Sequence, residues 1–122
     1  MKLLLDTHIF LWFISGDTRL PILMRDAVRA PQNDVYLSVA SLWEIIIKNK
    51  LGKLPLPQAP ETFIPKQRQN HRIKSLAITE SAIKQLAALP LLHRDPFDRI
   101  LVSQALHGDM TLVTVDSEIQ AY

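Results

Sequence analysis

The sequence predicts an α/β domain built on a parallel β-sheet with helices covering both faces. Three observations predict it. Strand-length apolar runs alternate with helix-length segments along the whole chain. The first run, Lys2-Leu3-Leu4-Leu5, is continuously apolar rather than alternating, which is the pattern of a strand buried on both faces. At 122 residues the chain suits one domain with one core, and it carries no internal repeat or low-complexity segment.

The elements follow in order. Residues 2–5 read as a buried strand, and residues 8–14 as a mostly buried helix stopped by Gly16-Asp17. Pro21 suits the first position of a second helix that runs to about Ala30. Pro31-Gln32-Asn33-Asp34 reads as a turn and Val35-Tyr36-Leu37 as the second strand. Ser38 or Ser41 caps the next helix, to about Lys50, and Ser41-x-x-Glu44 matches a capping box. Gly52 is placed to end it. Residues 55–65 carry Pro55, Pro57, Pro60 and Pro65, so a stiff connection is expected, with room for a short helix after Pro60. Lys74–Ile78 reads as a third strand, and Thr79 caps a helix to about Leu89. Asp95-Pro96 opens a helix with Phe97, Ile100, Leu101 and Ala105 on one face, ended by Gly108. Thr111–Val115 is the last clear strand, and Ser117–Tyr122 forms a final helical turn.

Composition narrows the chemistry. Hydrophobic residues make up 48% and charged residues 21%, the balance of an ordinary globular protein. The absence of cysteine excludes disulfides, zinc–thiolate sites and thiol nucleophiles, and it fits a reducing cytoplasm. The opening apolar run is cut by Asp6 well short of the roughly 7–15 residues of a signal-peptide core. No stretch reaches the roughly 18 apolar residues of a membrane span, so neither secretion nor membrane insertion is expected. Only three glycines are present, and no Gly-rich loop precedes a Lys-Ser or Lys-Thr pair, so a Walker-type nucleotide site is not supported. The net charge is +2. Lys66, Arg68, Arg72 and Lys74 cluster with His71, either as a polyanion-binding patch or as a solvated helix face.

Four acids stand out by position. In open parallel sheets, ligands bind beyond the carboxyl ends of the strands. Asp6 and Asp116 follow two predicted strands, and Glu44 interrupts the apolar stretch Leu42–Ile47 early in a helix that follows a third. Asp98 lies in the first turn of a helix that follows a loop, so chemistry rather than topology argues for it. Each has a structural alternative. Asp6 or Asp116 could cap a helix, Asp98 could favour the helix dipole, and Asp95 reads as an N-cap. Glu44 could pair with Lys48 at i,i+4, worth only about 0.2–0.5 kcal/mol on an exposed face. Four converging carboxylates would repel one another, and a divalent cation removes that conflict. Oxygen-only donors favour Mg²⁺ or Mn²⁺ over zinc. Such an ion, alone or with a second, can activate water for attack on a phosphodiester.

The motifs together carry a resemblance. Leu5-Asp6-Thr7-His8, Ser41-Leu42-Trp43-Glu44-Ile45 with Lys48 and Leu51-Gly52-Lys53-Leu54, His93-Arg94-Asp95-Pro96-Phe97-Asp98-Arg99-Ile100-Leu101, and Leu112-Val113-Thr114-Val115-Asp116 occur in that order. This pattern resembles PIN-domain ribonucleases, and most closely the VapC-type toxins of bacterial toxin–antitoxin pairs. The resemblance implies a three-layer α/β/α sandwich and an endoribonuclease that uses Mg²⁺ or Mn²⁺. It implies Asp6, Glu44, Asp98 and Asp116 as the metal-site acids, with Asp95 either assisting or capping. It implies Thr114 as a supporting hydroxyl that orients Asp116 or a water. The implied partners are an RNA substrate, a cognate VapB-type antitoxin and a second copy in a homodimer, all in the cytoplasm. Arg94, Lys66, Arg68 and Arg72 are candidates for contact with RNA phosphates. The competing expectation is a PIN-like module that binds RNA or protein without cutting.

Overall fold

The computed structural model describes residues 1–91 and 95–120. The chain forms β1 (Lys2–Leu5), α1 (Thr7–Ser15), α2 (Ile22–Arg29), β2 (Asp34–Ser38), α3 (Val39–Lys50), α4 (Pro60–Asn70), β3 (Lys74–Leu76), α5 (Glu80–Gln85) with a 3₁₀ turn at Leu86–Ala88, α6 (Pro96–His107), β4 (Thr111–Val113) and α7 (Ser117–Gln120). The four strands lie in the order β3-β2-β1-β4, and every pairing is parallel. The expected parallel sheet with two covered faces is present.

β1 lies inside the sheet, and its side chains alternate between two cores. Leu3 and Leu5 pack on one face with Val35, Leu37 and Val113, beneath Ile9 and Phe10 of α1, Val28 of α2, Ile45 of α3 and Ile64 of α4. Leu4 points to the other face, where Leu101 and Ala105 of α6 cover it. Two buried faces explain why the run reads as unbroken leucine. α5 docks on α6: the Ser103 hydroxyl bonds the Ala82 carbonyl, and Gln104 Nε2 donates to the Ala77 carbonyl at 3.2 Å.

Several boundaries differ from expectation, each for a physical reason. β3 stops at Leu76 rather than Ile78, because β2, its one neighbour among the described residues, ends at Ser38, the partner of Leu76. β4 stops at Val113 rather than Val115, because β1 ends at Leu5, the partner of Val113. Pro21 precedes α2 as its N-cap residue instead of opening it. The Ser41–Glu44 capping box does not form. Ser38 is the cap, its hydroxyl accepting the Ala40 amide at 3.0 Å, so Ser41 and Glu44 lie inside α3. The proline-rich connection shortens to residues 55–59, and an 11-residue α4 begins at Pro60 and carries Pro65 within it. Proline is well placed at a helix start, and burial of Ile64 holds the rest down. Gly16 ends α1 as expected, at φ +66°, with the Asp17 amide returning to the Trp12 carbonyl at 2.9 Å.

Leu101 is fully buried and Leu91 is 73% exposed. Leu101→Ala should therefore cost about 2–5 kcal/mol in urea unfolding, and Leu91→Ala less than about 0.5 kcal/mol. Equal costs would place the second core elsewhere.

Candidate active site

β1 delivers Asp6 to the carboxyl edge of the sheet. The Asp6 amide donates to the Val113 carbonyl at 3.0 Å, which continues the β1–β4 pairing by one bond. Asp6 stands at the N-cap of α1, yet its side chain makes no capping hydrogen bond. Instead Oδ2 accepts the Thr114 hydroxyl at 2.9 Å, in a buried position. Thr114 Oγ1 also accepts the Asp116 amide at 3.0 Å. One hydroxyl thus ties Asp6 to the segment that carries Asp116. Asp116 is half-buried, and its Oδ1 accepts the Glu118 amide at 2.9 Å, so it also caps the last helix. The structure therefore orients Asp116 through Thr114 and gives its carboxylate a capping role as well.

Glu44 is equally buried. Thr7 Oγ1 donates to Glu44 Oε1 at 2.7 Å and lies 2.9 Å from Ser41 Oγ. Lys48 Nζ sits 2.6 Å from Glu44 Oε2. Both carboxylate oxygens are engaged. Asp98 is buried at the third position of α6, below Asp95, whose side chain accepts the Phe97 amide at 2.9 Å and the Asp98 amide at 3.4 Å. Asp95 is thus the cap of α6, as its position implied. Trp43 of α3 meets Phe97 of α6 edge-to-face at 5.0 Å. This contact holds the residues next to Glu44 and Asp98 together across two helices.

The electrostatics of Asp6 and Lys48 reflect their burial and their charged neighbours. Burial is the largest influence on Asp6 and raises its pKa above the ordinary carboxylate value. The Thr114 hydrogen bond, the His8 charge and the Thr7 amide pull it down, and the Glu44 charge pushes it up further, so the net shift is upward. Lys48 feels burial most strongly, which disfavours its charge, but the Glu44 hydrogen bond and the charges of Glu44, Asp95 and Asp98 outweigh it. Its pKa is therefore raised. Lys48 thus lies within electrostatic reach of Glu44, Asp95 and Asp98, and Asp6 within reach of Glu44.

Among the described residues, no three His, Asp or Glu side chains are gathered closely enough to hold a metal ion as they stand. Asp6, Glu44, Asp98 and Asp116 are nonetheless the side chains that could hold one, and their all-oxygen chemistry suits a hard divalent cation. Thr7 and Lys48, the two partners of Glu44, line a cavity of about 260 Å³ with His8, Leu11, Ile45, Lys53 and Leu54.

The basic candidates are not brought to this edge. Arg72 precedes β3 and lines a larger cavity of about 450 Å³ with Arg29, His71 and Asp34, at the amino edge of the sheet. Arg68 Nη1 is spent on the Ile73 carbonyl at 2.9 Å, and Lys74 pairs with Asp34 at 3.1 Å. Lys66 is exposed on α4. The cluster read as one patch is therefore divided among separate local roles. Arg94 and His93 lie outside the described residues. Two site residues went unread, Thr7 and Ser41. A threonine directly after a strand-end aspartate was the available signal.

The raised pKa of Asp6 gives a signed expectation. A raised carboxylate favours folding below its ordinary value of 3.8 and costs stability as pH rises through the folded value. In metal-free protein, Asp6→Asn should equal or exceed the parent in stability at pH 7. The gain should vanish below about pH 3.8. Thermal melts across pH test this, and a large loss at pH 7 would mean that Asp6 serves the scaffold.

Comparison with known proteins agrees with this architecture. The chain is 44% identical to Ribonuclease VapC16 of Mycobacterium tuberculosis over 41 residues, 34% of this chain and 29% of that protein. The chain thus matches under a third of that relative's length. Its fold is similar to that of a chain of VapBC2 from Rickettsia felis, crystallised with a DNA fragment from their promoter (TM-score 0.73, 17% identity, 99% of this chain and 92% of that one). It is also similar to a chain of VapBC-1 from nontypeable Haemophilus influenzae (TM-score 0.66, 19% identity, 99% and 91%). The sequence profile of the PIN domain matches residues 3–122, and the chain therefore belongs to the PIN-domain family.

Proposed function

We propose that this protein is a metal-dependent endoribonuclease of the VapC type, the toxin of a toxin–antitoxin pair. Mg²⁺ or Mn²⁺ would be held by Asp6, Glu44, Asp98 and Asp116. The observation that carries this reading is the burial of Asp6, Glu44 and Asp98 together at the carboxyl edge of a parallel sheet in a PIN domain. Buried carboxylates are expensive unless paired or bound to a cation, and a site built this way needs a functional reason. When bound, the ion would polarise a phosphoryl oxygen and lower the pKa of a water.

The chain's own residues do the rest. Thr114 fixes the rotamer of Asp6, and Thr7 fixes that of Glu44. A carboxylate of the set accepts the proton of the attacking water. Lys48 and Lys53 line the adjoining cavity with His8, and the two lysines supply positive charge for the phosphate backbone.

The partners follow from the same reading. RNA is the substrate, a VapB-type antitoxin is the inhibitor, and the cytoplasm is the place of action. The structural neighbours, both named as VapBC assemblies, support the antitoxin. A homodimer is supported by an apolar groove of about 210 Å³, lined by Trp43, Ile78, Ile83, Leu86 and Phe97 among others, with Trp43 and Ile83 largely uncovered. The alternative is a PIN-like module that binds RNA or protein without cutting.

Three measurements bear on this reading. Asp6→Asn should lower RNA cleavage in Mn²⁺ by at least about a hundredfold, and EDTA should abolish it in the parent. Undiminished cleavage in either case would rule out the mechanism. Metal binding by calorimetry without cleavage of diverse RNAs would select the binding module instead. Ile83→Glu should shift the sedimentation mass from dimer to monomer, and an unchanged mass would move the dimer interface elsewhere.

A further inference from the structure

We propose that Lys48 is the resident counter-ion of the acidic site, an ammonium that surrenders Glu44 when the divalent cation arrives. The inference rests on the metal-dependent reading above. Its basis is the unequal tethering of Glu44. Oε1 is held by Thr7, a buried side chain one residue beyond Asp6 in the chain. Oε2 is held at 2.6 Å by Lys48, from one turn further along α3. The Glu44 side chain is 4% exposed, whereas that of Lys48 is 38% exposed. The carboxylate is fixed and its partner has somewhere to go.

The surroundings fit exchange rather than permanent pairing. Lys48 Nζ lies 2.6 Å from Glu44 Oε2, so in the metal-free protein its ammonium stands where a cation on that oxygen would be. Lys48 also lines the adjoining cavity with Thr7, His8 and Lys53. Rotation of its flexible stem moves the ammonium from Glu44 Oε2 into that space without disturbing α3. A lysine is a point charge on a flexible stem, whereas an arginine fork grips a carboxylate at two points. The residue type suits a partner that must let go.

The consequence is thermodynamic. Lys48 and the metal compete for one oxygen, so each weakens the hold of the other on the site. The metal-free protein avoids an unpaired buried carboxylate, and it binds metal less tightly than the bare acids would. Once displaced, the ammonium faces the cavity beside the acids, together with Lys53 and His8.

Calorimetry with Mn²⁺ alone tests this in the full chain, alongside melts with and without Mn²⁺. Lys48→Met should bind Mn²⁺ about tenfold tighter, within the usual coupling range of about 5–150-fold. It should melt lower than the parent without metal and gain more from its addition. Lys48→Arg should bind no tighter than the parent. Unchanged or weaker Mn²⁺ binding by Lys48→Met overturns the proposal. In the parent protein, Mn²⁺ should also speed modification of the Lys48 amine by an acylating reagent, read by mass spectrometry. No acceleration counts against exchange even if Lys48→Met fails to fold. If the parent binds no Mn²⁺, or Asp6→Asn binds it equally well, the metal reading falls and this inference with it. Normal parent binding with an unaltered Lys48→Met overturns only the role of Lys48.

Discussion

The hydrogen bond from Thr114 to Asp6 is the interaction on which the rest of the site depends. Asp6 is buried because it follows β1, whose Leu3 and Leu5 are covered on one face and Leu4 on the other. A carboxylate in that position must be compensated or turned outward. Thr114 compensates it and, through the same oxygen, receives the Asp116 amide. The threonine hydroxyl suits the position because it can donate and accept at once. Valine would fit the space and lose both bonds.

Around that bond the charges are arranged in two halves. One half is Asp6 with Thr114 and Asp116, tied to the end of the sheet. The other is Glu44 with Thr7, Ser41 and Lys48, on the adjoining faces of α1 and α3. Thr7 links them, because it follows Asp6 directly and bonds Glu44. Asp98 enters from the opposite layer on α6, where the Asp95 cap and the Trp43–Phe97 contact fix its approach. The site therefore draws on both layers of helices, and neither layer alone contains it.

Much of this was legible in the sequence. Strand-end logic placed Asp6 and Asp116, and an acid among isoleucines marked Glu44 as buried. Asp98 was legible only through the family resemblance, because its helix follows a loop rather than a strand. Thr7 was hidden because a threonine opening an apolar helix looks local, while its partner lies 37 residues away. The capping box was misread because Ser38 and Ser41 are both plausible caps, and only the end of β2 chooses between them. The lengths of β3 and β4 were set by where their neighbours stop, which is not a property of their own residues. α4 was obscured by its prolines, and its own Ile64 is held by packing against core residues distant in sequence.

The partners in the Thr114–Asp6 bond stand 108 residues apart. During synthesis, Thr114 emerges 108 residues after Asp6. Until β4 docks beside β1, Asp6 lacks its hydroxyl partner and Asp116 has no fixed position. Contacts of such long range form late, because a long loop must close first. The surroundings of Asp6 are thus completed only when β4 docks beside β1.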